Sequence, residues 1–220
     1  MRRKRSRGMS KVFNVQAKRN NNKKVNAFYN RAMEELKHFY EINWNENTPS
    51  ILLVDSREEF DILVGKKTES WVVGTALGYN ELLLLSPDSY EKESIHKYSD
   101  EEYFSLIKHE LSHLFYTILS KGAPPVWLDE GFAIYSSGQL STKKKPKELK
   151  HFLEYYSKVG EDVYSEAGFV VEALFKKYSK KKVLDFIKLL PKLNEEKVFK
   201  EAFEKYFKLD LTYERIGELL

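Results

Sequence analysis

The stretch "FSLIKHELSHLFYT", residues 104–117, decides how this chain is read. Phe104, Leu106, Ile107, Leu111, Leu114 and Phe115 recur as in a helix built for burial. Yet His109, Glu110 and His113 stand at its centre. Residues four apart on a helix lie on one face, about one turn apart. Two imidazoles placed that way can hold one zinc ion from adjacent turns. Glu110 follows the first of them. It can sit beside the open position of the metal without binding it, where it can accept a proton from water. Unpaired buried polar groups are costly, so three of them on one apolar helix call for a compensating partner. A metal ion supplies it.

The surrounding pattern places this helix between two kinds of structure. Upstream, Val25, Phe28, Tyr29, Ala32, Met33, Leu36, Phe39 and Tyr40 have helical spacing, so order is expected from about Val25. "SILLVD" (50–55) reads as a buried strand. Ser56 and Glu59 form a capping box for a short helix ending near Val64. "SWVVGTALG" and "ELLLLS" read as two strands joined around Gly78, Tyr79 and Asn80. Ser99 and Glu102 form a second capping box, opening the histidine helix, which Gly122 and Pro124–Pro125 stop after Lys121. Downstream the pattern is helical, with helices expected at about 126–137, 147–158, 162–178, 181–190, 194–207 and 211–219. The segment "GQLSTKKKPK" (138–147) reads as an exposed loop. The expected class is α+β: a small N-terminal mixed sheet whose edge strand borders the histidine helix, followed by a helical C-terminal part. Residues 25–220 are expected to form one domain, with an α/β part to residue 122 and the helical part from 123.

The net charge of +4 is misleading. Residues 1–24 carry ten Lys/Arg and no acid, which leaves 27 basic against 33 acidic residues and a net charge of −6 for the rest. This tail lacks apolar periodicity and is expected to be disordered. It reads as a solubilising segment, with contact to nucleic acid or another anionic surface, or an Arg-rich transit segment, as the other readings. Met9 is an alternative start. No run of about 18 apolar residues is present, and the tail has no apolar stretch after its basic start. The expected location is therefore cytoplasmic. The absence of cysteine excludes disulfides, thiolate ligands and a cysteine nucleophile.

Catalytic zinc usually takes three protein ligands and keeps one position open. Tyr116 and Leu119 occupy the positions where a metzincin would carry Gly and His. Further on lies "PPVWLDEGFAIYSSG" (124–138), in which Glu130 sits on a short helix after a Pro-Pro turn. Gly131 and Ala133 are small enough to let that helix pack closely against the first.

Taken together, "HELSH" and "WLDEGFA" resemble the paired signature of the gluzincin zinc metallopeptidases, in particular the compact peptidase-MA-like proteins of the aminopeptidase-like branch. The two motifs cover a small part of the chain, and the 16 residues 114–129 that separate His113 from Glu130 are slightly fewer than is usual. The resemblance implies a zincin-like fold and zinc-dependent peptide hydrolysis. It also implies one Zn²⁺ ion held by His109, His113 and Glu130, with Glu110 as general base. "GTALGYNELLLLSP" is similar to the edge strand on the substrate side of the family, which implies that Gly74, Thr75, Ala76 and Leu77 bind an extended peptide. "VYSEAGFVVEALFKKYS" (163–179) is similar to the helix carrying an oxyanion-steadying tyrosine, which implies a catalytic Tyr164. A tyrosine in an apolar helix is otherwise ordinary core.

One position departs from the family. The aminopeptidases carry a Glu that binds the substrate's free amine where this chain has Leu77, so an endopeptidase is expected rather than an aminopeptidase. His151 is the rival third ligand, and a three-histidine set would resemble DNA-associated proteases using the basic tail. Glu130 is preferred because it belongs to a matched motif. His38 and His96 read as surface or core-edge residues. Asp129 and Glu172 are the candidates for orienting the histidines. The alternative to an enzyme is a zinc-stabilised binding or scaffold domain with little turnover.

Overall fold

A computed structural model of the protein describes Arg19, residues 21–158, Gly160, residues 162–193 and residues 195–220. Most of the basic tail, residues 1–18 and 20, lies outside the described residues, as does residue 194, where one helix was expected to start.

Helix α1 (Lys23–Tyr40) starts two residues before the expected Val25. The Asn22 side chain explains this, since it accepts the N–H groups of Lys24 at 3.0 Å and Val25 at 3.2 Å. These are donors that a helix cannot satisfy internally at its first turn. Strand β1 (Ser50–Val54) leads into α2 (Arg57–Val64), where Ser56 Oγ accepts from Glu59 N–H at 3.2 Å. Strands β2 (Gly74–Leu77) and β3 (Glu81–Leu85) pair antiparallel, and β1 pairs parallel with β3. The sheet is thus mixed, in the order β1-β3-β2. Leu82, Leu83, Leu84 and Leu85 are all fully buried. Successive strand side chains point to opposite faces, so the apolar run "LLLL" marks a central strand covered on both.

Helix α3 (Asp100–Ser120) is capped by Ser99 Oγ, which accepts from Glu102 N–H at 3.1 Å. It packs against α1 on one side and the edge strand β2 on another. Helix α4 (Val126–Ser137) folds back along α3, and α5 (Val163–Lys177) packs along α4. A Cβ at Gly131 would lie 2.6 Å from the Ala167 carbonyl oxygen and 2.6 Å from Val171 Cγ2. Gly131 therefore serves the close approach of α4 to α5, rather than to α3 as expected. Helices α6 (Lys180–Ile187), α7 (Glu196–Phe207) and α8 (Tyr213–Gly217) complete the chain. Among the described residues no strand follows Leu85, so the protein is mixed α/β with a small sheet followed by a helical part. No helix among them is long and apolar enough to cross a membrane.

Two segments differ from expectation. The helix expected at 147–158 is instead an irregular strap with a single 3₁₀ turn, Phe152–Glu154. Buried Glu166 on α5 accepts the backbone N–H groups of Lys150, His151 and Phe152 at 2.8, 2.9 and 2.9 Å. Those donors are engaged from another helix, which fixes a non-helical path. The loop expected at 138–147 begins with a 3₁₀ turn, Gln139–Thr142, that folds back onto the histidine helix.

Candidate metal centre

His109 and His113 share one face of α3, and Glu130 reaches them from the second turn of α4. Their donor atoms converge. His109 Nε2 and His113 Nε2 are 3.2 Å apart, and Glu130 Oε2 lies 3.6 Å from the first and 3.7 Å from the second. Metal–nitrogen bonds of 2.0–2.1 Å in a tetrahedral zinc site separate neighbouring donors by about 3.3 Å. The second ring nitrogens are already engaged: His109 Nδ1 lies 2.9 Å from Gln139 Oε1, and His113 Nδ1 lies 2.7 Å from Asp129 Oδ1. Both partners are acceptors, so each Nδ1 carries a proton and each ring turns its Nε2 towards the other. Two facing lone pairs with a buried carboxylate oxygen beside them repel one another unless a cation or a proton lies between. Glu130 Oε2 is sealed from solvent and has no hydrogen-bond partner among the described residues. The donor set, two imidazoles and a carboxylate, is one that zinc favours, so the three residues fit the ion. They are also the one group among the described residues with metal-ligand geometry.

The electrostatics of the metal-free chain follow from this crowding. Burial disfavours a charge on His113, but Asp129 and Glu130 outweigh it and raise its pKa to about 10. Burial also works against the charge on Glu130, but His113 and His109 overcome it and hold this carboxyl below its usual range. Glu110 is shifted the other way: burial raises its pKa, the two histidines pull it back in part, and Glu130 and Asp129 add to the rise. Two carboxylates on the same pair of histidines are therefore driven apart, one toward the ionised ligand form and the other toward the form that can hold a proton.

Glu110 projects from α3 beneath Gly74 of the edge strand. The strand's free edge can be read from its pairing. Leu85 N–H donates to Val73 O at 3.0 Å, so Thr75 and Leu77, in the same alternation, face their backbone groups to β3. The N–H and C=O groups of Gly74 and Ala76 then point outward along an edge that no strand among the described residues covers. Of the four residues expected to bind an extended peptide, Gly74 and Ala76 thus turn their backbone groups outward, while Thr75 and Leu77 hold the strand to its neighbour.

Tyr164, at the start of α5, lies within the site. Its hydroxyl donates to Glu130 Oε1 at 3.3 Å, and its ring meets Trp71 edge-on at 5.7 Å. Burial first, and Glu130 second, raise its pKa, so it is a neutral donor. His151 does not join the centre: it is half-buried on the strap, 3.4 Å from Glu154. Of the two expected orienting residues, Asp129 takes the role at His113, whereas Glu172 pairs with Lys176 at 2.8 Å. Gln139, which orients His109, was missed by sequence reasoning because it lies in a polar segment read as loop. Its one signal is its place directly after Gly138, where α4 ends and the chain turns back. No family model, curated protein or solved structure matches the chain.

Proposed function

We propose that this protein is a zinc-dependent peptidase of gluzincin type, with a zincin-like fold, acting on extended peptides as an endopeptidase. The observation that carries the reading is the convergence of His109 Nε2, His113 Nε2 and Glu130 Oε2, with Glu110 alongside under a free strand edge. A zinc ion held by these three residues supplies Lewis acidity at the scissile carbonyl. Asp129 and Gln139 keep the histidines in the tautomer that turns Nε2 inward. The substrate backbone pairs with the outward groups of Gly74 and Ala76, which adds a strand to the sheet and lays the peptide across Glu110. Glu110 takes a proton from the attacking water and passes it to the departing amine nitrogen. Its raised pKa suits both steps. Tyr164, a neutral hydroxyl that donates to Glu130 Oε1 in the free protein, turns that hydrogen bond to the oxygen that becomes negative in the tetrahedral species.

The supporting experiment is cleavage of a diverse peptide library by zinc-loaded protein, with and without chelator. Chelator-sensitive cleavage at internal bonds is expected. A fully zinc-loaded chain that cuts nothing would favour a zinc-stabilised binding domain instead.

A further inference from the structure

Helix α4 carries both Glu130 and Asp129, yet it has no side-chain cap of its own. Pro125 stands at its N-cap position. The first N–H groups of a helix need acceptors from elsewhere. Here two come from the strap: Val126 N–H donates to Tyr156 O at 2.9 Å, and Trp127 N–H to Tyr155 O at 3.0 Å. Trp127 is fully buried, so solvent could not take over its cap. The strap is held in turn by Glu166, only 4% exposed, whose two carboxylate oxygens take three backbone N–H bonds at Lys150, His151 and Phe152. The chain between the two helices thus meets the metal centre at both ends, through Gln139 on His109 and through the carbonyls that cap α4.

We propose that Glu166 is a positioning residue for the metal centre, pinning the strap whose carbonyls cap the helix that presents Asp129 and Glu130. The inference rests on the metal reading above. Hydrogen bonds to an ionised carboxylate are short and strong, so three of them make a stiff anchor. Without it, the amides of residues 150–152 lose their acceptors and the strap is released. The α4 N-terminus then loses two acceptors within four residues of Glu130. Glu166 sits two residues after Tyr164 and directly before Ala167, against whose carbonyl Gly131 packs, so the pin belongs to the same helix pair that forms the site.

The test uses zinc and cobalt(II) with the full chain. Glu166→Gln keeps the size but turns one acceptor into a donor facing backbone N–H groups. Its zinc Kd, measured by competition with a chelating dye, is expected to rise, by less than the roughly 10–100-fold that follows loss of a residue bonded directly to a ligand, since Glu166 acts through the strap. The visible absorption bands of bound cobalt(II), which report ligand geometry and not global stability, should change as well. In the metal-free variant the amides of Val126 and Trp127 should exchange faster than in wild type. Val126→Pro removes only one cap donor, at the first helical position where proline fits. It should weaken zinc binding in the same direction by a smaller factor. A folded Glu166→Gln protein with wild-type zinc affinity and a wild-type cobalt spectrum would overturn the proposal. Should that variant not fold, Val126→Pro with unchanged affinity and spectrum would do the same. A wild-type chain that takes up neither metal is a different result, and it removes the metal reading itself.

Discussion

Gly74 lies directly against Glu110: a Cβ at position 74 would come 3.0 Å from Glu110 Cγ, 3.1 Å from Glu110 Oε1 and 2.7 Å from Leu84 Cδ2. The edge strand and Glu110, the proposed general base, therefore share one space, and only a residue without a side chain lets both occupy it. Gly74→Ala must push Glu110 or the strand aside. Overpacking of this kind costs about 1–3 kcal/mol. Turnover should fall while zinc stoichiometry stays at that of wild type, because His109, His113 and Glu130 are untouched. Metal analysis and steady-state kinetics on the same preparation check this. Unchanged kcat would mean that Glu110 has room it does not show here.

Glu110→Gln separates binding from chemistry. The change preserves shape and removes the base, so metal content and folding should match wild type. Positioned general bases contribute about 10²–10⁴-fold, and turnover per bound zinc should drop by at least the lower figure. Wild-type turnover in the variant would exclude Glu110 as the base.

Removing the metal should cost stability as well as activity, because an ion held by His109, His113 and Glu130 binds only the folded chain that brings them together. At zinc a thousandfold above Kd, binding stabilises the folded state by about 4 kcal/mol. For a chain of this size each kcal/mol raises Tm by about 2–4 °C, so a rise of about 8–16 °C is expected on adding zinc to stripped protein. Glu130→Ala should abolish most of that rise and His151→Ala should leave it intact. The reverse pattern in a thermal scan would move the third ligand to His151.

How much of this was legible in the chain depends on distance along it. The caps at Ser56 and Ser99 are written within four residues, and the structure makes both bonds. The i, i+4 pair His109 and His113 is equally local, and the two rings do meet. The strap was misread for the opposite reason. "ELKHFLEYYS" has helical periodicity, but Glu166, 14 to 16 residues further on, takes the very N–H groups that a helix would use. A buried carboxylate with three donors outweighs a propensity worth tenths of a kcal/mol per residue. Gln139 was hidden in the same way, since only the turn after α4 brings a polar loop residue to His109.

Gln139→Leu tests that contact in isolation. The substitution leaves His109 Nδ1 without its acceptor and frees the ring to rotate. Zinc affinity should fall about 10–100-fold, and Gln139→Glu, which restores an acceptor, should recover most of it. Equal affinity across all three proteins in a chelator competition would show that His109 is oriented by packing alone.

The free edge of β2 bears on which bond is cut. In the aminopeptidases that the two motifs resemble, an acidic side chain at the end of the edge strand holds the amine. Here that position is Leu77, the last residue of β2, and its backbone groups are turned to Glu81 on β3. It offers no charge to an ammonium group, and an extended peptide meets only the outward amides and carbonyls of Gly74 and Ala76. Those groups recognise any backbone, so a chain can continue past Leu77 without losing an ionic contact. Peptides with an acetylated N-terminus should accordingly be cut with kcat/KM equal to or above that of their free-amine counterparts. Cleavage should fall at internal bonds when the products are identified by mass spectrometry. A strict requirement for the free α-amine, or stepwise loss of single N-terminal residues, would contradict the endopeptidase reading while leaving the metal centre and Glu110 in place.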